Sequence, residues 1–200
     1  MHVVYSEAMN APAQGASPSA AKPAAVVAAW RTTWPTLEFR APEPVTLADF
    51  ERAHTRTYID DVFALLTAAR WALAAKTAVA APVSGFHHAG HRMGADFCTF
   101  NGLMVAALAL QAERPGLRVG ILDYDYHYGD GTEDIIEKKD PPGVVHVSAG
   151  EHWTRPEQAE DFLKAISTHL DAMTDCDVVL YQAGADPHMA APEGGIIVPR

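Results

Sequence analysis

The apolar run Val119-Gly120-Ile121-Leu122 ends in Asp123-Tyr-Asp-Tyr-His-Tyr-Gly-Asp-Gly-Thr132, and no other junction limits so strongly what this chain can fold into. A strand buried on both faces of a parallel sheet is continuously apolar, so a run of charge at its carboxyl end needs a chemical reason. Asp123, Asp125 and His127 stand two residues apart. If the extended backbone runs through them, alternation sends all three to one face. Carboxylates and an imidazole gathered at one strand end suit a divalent metal.

The rest of the chain supplies the sheet that such a strand needs. His2–Tyr5 opens with β-like residues, and residues 9–23, rich in Ala, Pro, Ser and Gly, read as a loop. A helix follows from Pro23 to Trp34, then a strand over Thr36–Arg40. Thr46 is placed to cap a helix over 47–54, and Tyr58 to Lys76 reads as one or two helices with Val62, Leu65, Leu66, Ala69 and Leu73 near helical spacing. Thr77–Val83 is the third strand and Phe100 to Glu113 a helix. Val119–Asp123, Val144–Ser148 and Val178–Gln182 complete the strands, with a helix over 156–172 between the last two. Strands separated by helices predict an α/β domain with a mainly parallel sheet. Polar clusters follow the third, fourth and sixth strands: His87-His88, Asp123 to Asp130, and Asp186 to His188. In open α/β sheets ligands bind outside the carboxyl ends of the strands, where all three clusters fall.

Two hundred residues with 48% hydrophobic and 20% charged side chains describe one globular domain with a real core. The formal net charge of −10 argues against a nucleic-acid surface, which wants clustered Lys and Arg, but leaves a basic substrate open. Two cysteines, Cys98 and Cys176, allow neither a disulfide framework nor a cysteine zinc motif, which fits a reducing cytoplasm. The sequence shows no secretory leader and no apolar stretch long enough to span a bilayer. No membrane partner is expected.

Asp125, His127 and Asp186 are the predicted metal ligands, three protein donors that leave a position for water. Each alone would be read as a strand-end carboxylate or loop histidine; the Asp-x-Asp-x-His pattern with a remote Gly-Ala-Asp favours metal. His87 and His88 in tandem after Ser-Gly offer a base and a charge-stabilising partner, with Asp123 and Asp130 available to set their tautomers. His91, Arg92 and His188 read as exposed loop residues. His2, His54, His146, His152 and His169 carry no signal of a site. Cys98 reads as a small buried filler, and Gly129 and Gly131 as a tight turn after the ligands.

Together these motifs resemble the histone deacetylase superfamily. The residues that carry the resemblance are Gly85-Phe86-His87-His88-Ala89, Phe97-Cys98-Thr99-Phe100-Asn101, Asp123 to Thr132, and Gly184-Ala185-Asp186-Pro187. The flavour is similar to bacterial deacetylase-like amidohydrolases, acetylpolyamine amidohydrolases among them. The resemblance implies the three-layer arginase/deacetylase-like fold, a mainly parallel sheet with helices on both faces, incomplete here. It implies Zn2+ on Asp125, His127 and Asp186. His88, paired with Asp130, would be the general base; His87, paired with Asp123, its electrostatic partner; Phe97 would line the acyl-lysine tunnel. A structural K+ would use Asp123, Asp125, His127 and Ser148, partly through carbonyl oxygens. The implied substrate is a small acetylated amine or an acetyl-lysine peptide.

The sequence also departs from the family's pattern. Residues 1–200 read as a single domain lacking the family's C-terminal part, including a Gly-rich loop whose tyrosine polarises the substrate carbonyl. Two central strands of the family sheet have no counterpart, which predicts lost spacing between His87-His88 and the Asp125/His127 cluster, exposed edges, and a homo-oligomer as one consequence. An insertion near Asp61 and Ala64 is short, and Asp96 stands where a glycine usually precedes the tunnel phenylalanine. Two readings compete: a zinc-dependent amidohydrolase, and a metal-binding remnant without turnover that serves as a binding or assembly partner. A ureohydrolase of the arginase branch is disfavoured, because its two manganese ions need more Asp and His ligands than the sequence offers.

Overall fold

The computed structural model describes residues 2–9, 22–53, 64–83, 85–191 and 195. Most of the 9–23 loop, the 58–63 part of the predicted helix, the short insertion near Asp61 and Gly194 lie outside the described residues.

Two parallel three-stranded sheets carry the fold. In the first, β1 (His2–Val4) lies between β2 (Glu38–Arg40) and β3 (Val79–Ala80). In the second, β4 (Val119–Asp123) lies between β5 (Val144–Ser148) and β6 (Val178–Gln182), all three with the predicted bounds. β3 is shorter than the predicted Thr77–Val83 strand, because its register with β1 ends at Val3↔Ala80.

Helices cover both faces, as alternation of side chains along the strands requires. Val3 of the first sheet and Tyr5 just beyond it pack with Val27 of α1 (Lys22–Thr33), while Val4, pointing the other way, packs with Ala68 of α3 (Leu65–Ala75). The short α2 (Leu47–Glu51) starts at Thr46, whose hydroxyl accepts from the Asp49 amide while the Asp49 carboxylate accepts from the Thr46 amide. In the second sheet Val119, Ile121, Val178 and Leu180 face α4 (Gly102–Glu113) in the main core. α4 is buried along nearly its whole length, since Leu103, Met104, Val105, Ala106, Ala107, Ala109 and Leu110 are all buried. A helix apolar all round belongs inside. On the opposite face the sulfur of Met173 comes against Gly120, just beyond the end of α6 (Ala159–Ala172). Val83 touches the cores of both sheets and joins them.

One helix is absent from the sequence reading. Residues Asp130–Lys139 form α5, the crossover that two parallel neighbours such as β4 and β5 demand. Its apolar content is low and Gly129 and Gly131 mark its start, so pattern alone reads as a turn. Gly129 is instead the residue that precedes the first helical turn, with φ −74. The helix carries Asp130 and Glu133 at its first turn and Lys138 and Lys139 at its last, which complements the helix dipole.

Candidate metal and histidine site

The carboxyl ends of β4 and β6 point at the same place. β4 ends at Asp123, so alternation does not continue through Asp125 and His127; the next residues leave the sheet as a loop. That loop is held by its own carboxylates. The Asp125 amide donates to Asp123 Oδ1 at 3.1 Å and the His127 amide to Asp125 Oδ1 at 3.0 Å. The Tyr126 amide donates to Asp186 Oδ1 at 3.1 Å, which ties the β4 loop to the one after β6.

Asp125, His127 and Asp186 present ligand atoms all within 4.8 Å of one another. His127 Nδ1 lies 2.9 Å from Asp186 Oδ2 and 3.2 Å from Asp125 Oδ1. The donor set is that of a divalent metal: two carboxylates and one imidazole. Burial, together with the neighbouring Asp125 carboxylate, pushes the Asp186 carboxyl above its ordinary range, against a weaker pull from the Tyr126 amide and His127. A divalent cation relieves that like-charge crowding. Among the described residues the ion pairs of the two carboxylates are with histidines, so no Lys or Arg does the same work.

Two His–Asp pairs stand beside the triad. His87 Nδ1 lies 2.7 Å from Asp123 Oδ2, and both side chains are buried. His88 Nδ1 lies 2.6 Å from Asp130 Oδ1, with the carboxylate 58% exposed. The two imidazole rings are 4.1 Å apart, His88 is 6.1 Å from the His127 ring, and His87 Nε2 is 3.7 Å from Asp125 Oδ1. Burial alone would lower the His87 pKa, but the hydrogen bond and charge of Asp123, aided by Asp125 and Asp186, carry it above its usual value. The predicted loss of spacing between the histidine pair and the ligands is therefore not found. The pairs themselves clamp the two segments, and the Thr132 amide adds a bond to the His87 carbonyl at 2.9 Å.

The start of α5 is fitted to this clamp. A Cβ on Gly131 would lie 2.5 Å from the His88 carbonyl oxygen, so the glycine serves close approach rather than a turn. Asn101 is fully buried: its side chain accepts from the Met104 amide to cap α4 and donates to the Ala89 carbonyl and to Thr132. It joins three site-bearing segments, and its position before an apolar helix is the sequence signal for it.

Phe97 sits apart from the clamp on a tight turn, Ala95 to Cys98, closed by two backbone hydrogen bonds of 3.1 and 2.7 Å. Its ring is on the surface, with the residue 70% exposed. Asp96 and Phe97 have φ of +41 and +68, the left-handed region in which glycine is at ease. Cys98 is buried, as predicted, and its thiol is pushed up to about 11 by burial, despite hydrogen bonds from the backbone of His88 and Ala89. The turn thus abuts the histidine pair through Cys98.

Of the remaining predicted residues, Ser148 is buried and its hydroxyl accepts from the Gly129 amide at 3.0 Å, opposite Asp123 in the β4–β5 register. His188 is exposed as expected, whereas His91 is half-buried with its amide on Asp134. Two histidines that carried no signal in the sequence are buried. His169 accepts or donates at 2.9 Å with the Tyr124 hydroxyl inside an aromatic cluster with Trp153. His146 pairs with Glu133 at 2.9 Å. Its place two residues before Ser148 on one strand face was the available signal.

No helix among the described residues is long and apolar enough to cross a membrane. The family model described as histone deacetylase domain matches residues 62–158. Human histone deacetylase 7 is 33% identical over 98 residues, 42% of this chain and 10% of that protein. Acetylpolyamine amidohydrolase 1 of Pseudomonas aeruginosa is 45% identical over 56 residues, 27% of this chain and 15% of that protein. The solved HDA15 HD domain superposes with a TM-score of 0.60 at 23% identity, over 74% of this chain and 52% of that one. The chain thus spans about half of the solved domain, and smaller shares of these curated relatives. Parallel sheets clad by helices, a family model over residues 62–158 and relatives of both deacetylase kinds agree, and nearly half of the chain is similar to the histone deacetylase domain.

Proposed function

We propose that this chain, with residues 1–200 as one domain, is a zinc-dependent amidohydrolase that removes acetyl groups from acetylated lysine or acetylated polyamine-type amines. The observation that carries the reading is the meeting of two His–Asp pairs with the Asp125, His127 and Asp186 triad, His87 Nε2 being 3.7 Å from one of its carboxylates. Asp125, His127 and Asp186 would hold the zinc, which when bound would supply an acidified water and a Lewis acid for an amide carbonyl. His88, its Nδ1 engaged by Asp130, keeps Nε2 free to take a proton from the attacking water and hand it to the leaving amine. His87, held protonated over a wider pH range by Asp123, offsets the negative charge that develops on the substrate oxygen. Phe97 would guide the acyl chain, and the resemblance adds a potassium ion near Asp123, Asp125, His127 and Ser148, where β4 and β5 pair. The net charge of −10 suits a cationic amine product.

A second reading is a metal-binding chain without turnover. The openness of the site favours it: His127 is 42% exposed and Phe97 lies on the surface, whereas charge stabilisation is strongest where water is excluded. Hydrolysis of an acetyl-lysine peptide and of an acetylated diamine by the zinc-loaded protein separates the two. Turnover that falls by roughly 10²–10⁴-fold in His88→Ala supports the amidohydrolase. Zinc bound in proportion to protein, lost in Asp186→Ala, with turnover absent or indifferent to His88→Ala, supports the second reading.

A further inference from the structure

The loop that carries Asp125 and His127 is tied at its amides by bonds that do little to fix it against the rest of the molecule. The Asp125 and His127 amides reach only two residues back, to Asp123 and Asp125, and the Tyr126 amide reaches Asp186, itself a predicted ligand. The two tyrosines between these residues go elsewhere. Tyr124 and Tyr126 pack with Trp153 against the buried Ala149 and Phe162. The Tyr124 hydroxyl lies 2.9 Å from His169 Nδ1, and the Tyr126 hydroxyl donates to the Thr154 carbonyl at 2.8 Å. His169 is buried, seven residues after Phe162 and so on the same face of α6. The rings of Tyr124 and Trp153 lie 5.7 and 5.0 Å from its own. Burial, and after it the charge of His152, lowers the pKa of His169 and favours the neutral ring, whose Nδ1 can accept the Tyr124 hydroxyl. Phe162 and Tyr181 close on the Tyr124 ring at 5.3 and 5.7 Å. Phenylalanine would serve that packing equally well, whereas a hydroxyl bonded to a buried imidazole adds direction.

We propose that Tyr124 and His169 are positioning residues for the ligand loop: the bond between them anchors the chain between Asp123 and Asp125 and sets where the Asp125 carboxylate stands before a metal arrives. The Tyr124 amide donates to the Gln182 carbonyl at 3.0 Å, so this residue is gripped at its backbone and at its hydroxyl and has little freedom to turn. Asp125 and Asp186 crowd each other with like charge. An anchored loop keeps the two carboxylates converged in spite of that repulsion. Ligands ordered by folding bind a metal more tightly than ligands that must be ordered by the metal. In this way α6, which supplies none of the predicted ligands, acts on the site. The role rests on the reading of Asp125, His127 and Asp186 as metal ligands, but its first test is made on metal-free protein.

That test is amide hydrogen exchange in the whole chain. Tyr124→Phe keeps the ring and removes the hydroxyl. The Asp125, Tyr126 and His127 amides are expected to exchange roughly fivefold faster, the worth of one hydrogen bond, while the amides of α4 keep their wild-type rates. His169→Leu gives the same local change, and His169→Asn, whose amide stands near the place of Nδ1, returns the rates toward those of the wild type. Zinc affinity, measured by competition with a chromophoric chelator, falls about tenfold in Tyr124→Phe and in His169→Leu and recovers in His169→Asn. Unchanged loop exchange in Tyr124→Phe, or acceleration spread evenly over the molecule, overturns the proposal. Should His169→Leu fail to fold, Tyr124→Phe decides alone. Zinc bound equally well by the wild type and Tyr124→Phe overturns the anchor and leaves the ligand reading intact. A wild-type chain that binds no zinc, with loop amides that still respond to Tyr124→Phe, refutes the ligand reading alone.

Discussion

His87–Asp123 and His88–Asp130 are the same pair of residue types at the same kind of distance, 2.7 and 2.6 Å, on adjacent positions of one loop. Their surroundings differ. Asp123 is the fully buried last residue of a central strand, whereas Asp130 is the first residue of a helix and mostly in solvent. In the first pair the protein has removed water, so the carboxylate and imidazole depend on each other. In the second, water reaches the carboxylate and shares the load. One hydrogen-bond pattern thus occurs once in a dry interior and once beside solvent, and the difference lies in burial rather than in the pair.

The largest effect that tests this difference is Asp123→Ala. Removing one partner of a buried pair leaves the other uncompensated and costs about 3–5 kcal/mol, read as a shift in urea denaturation. The pair also gives a pH signature in metal-free protein. The folded pKa of His87 is raised, so its contribution is complete below the unfolded value of about 6.5 and is lost as pH rises through the folded value. Stability measured from pH 6 upward falls in the wild type, and Asp123→Ala removes that part of the slope. A loss under about 1 kcal/mol with an unchanged slope would place the buried pair in the class of surface pairs and break the comparison.

Much of this contrast was legible in the sequence, and the part that was not has a physical cause. Val119–Asp123, Val144–Ser148 and Val178–Gln182 were readable because buried central strands leave an uninterrupted apolar trace. The grouping of Asp125, His127 and Asp186 and both histidine pairs were readable because these residues follow strand ends in chain order. Helix α5 was hidden: its glycines mimic a turn, and only tertiary contact shows that Gly131 is there to let His88 come close. His146 was hidden for a related reason. A lone histidine on a strand carries little local mark of burial beyond sharing a face with Ser148, and its partner Glu133 lies on another segment. The division of the strands into two sheets was also invisible, because it depends on pairing and not on strand propensity.

Gly131→Ala comes next in size and acts first on the His88–Asp130 pair. Its methyl would sit 2.5 Å from the His88 carbonyl oxygen, a backbone atom with no side-chain freedom to retreat. Overpacking of that kind costs about 1–3 kcal/mol. Because α5 carries Asp130, the same movement lengthens the His88–Asp130 contact. The His87 Nδ1–H resonance is expected to hold while that of His88 weakens. Equal disturbance of both would show that the two pairs respond as one unit, which their difference in burial argues against.

The smallest effect on stability, and the sharpest on the comparison, is Asp130→Ala. Its carboxylate is 58% exposed, and a surface pair of this kind is worth about 0–1 kcal/mol, including its favourable place at the start of α5. Turnover, in contrast, falls by about 10–100-fold, as it does when a carboxylate that orients an essential imidazole is removed. The two measurements separate because the carboxylate that is removed is largely solvated, while the imidazole it orients is only 13% exposed and depends on it for its orientation. Denaturation near that of the wild type together with impaired hydrolysis marks Asp130 as a solvated group that orients the His88 ring. A stability loss matching that of Asp123→Ala would mean instead that His88 is held as tightly as His87, and that exposure of the carboxylate does not distinguish the two pairs.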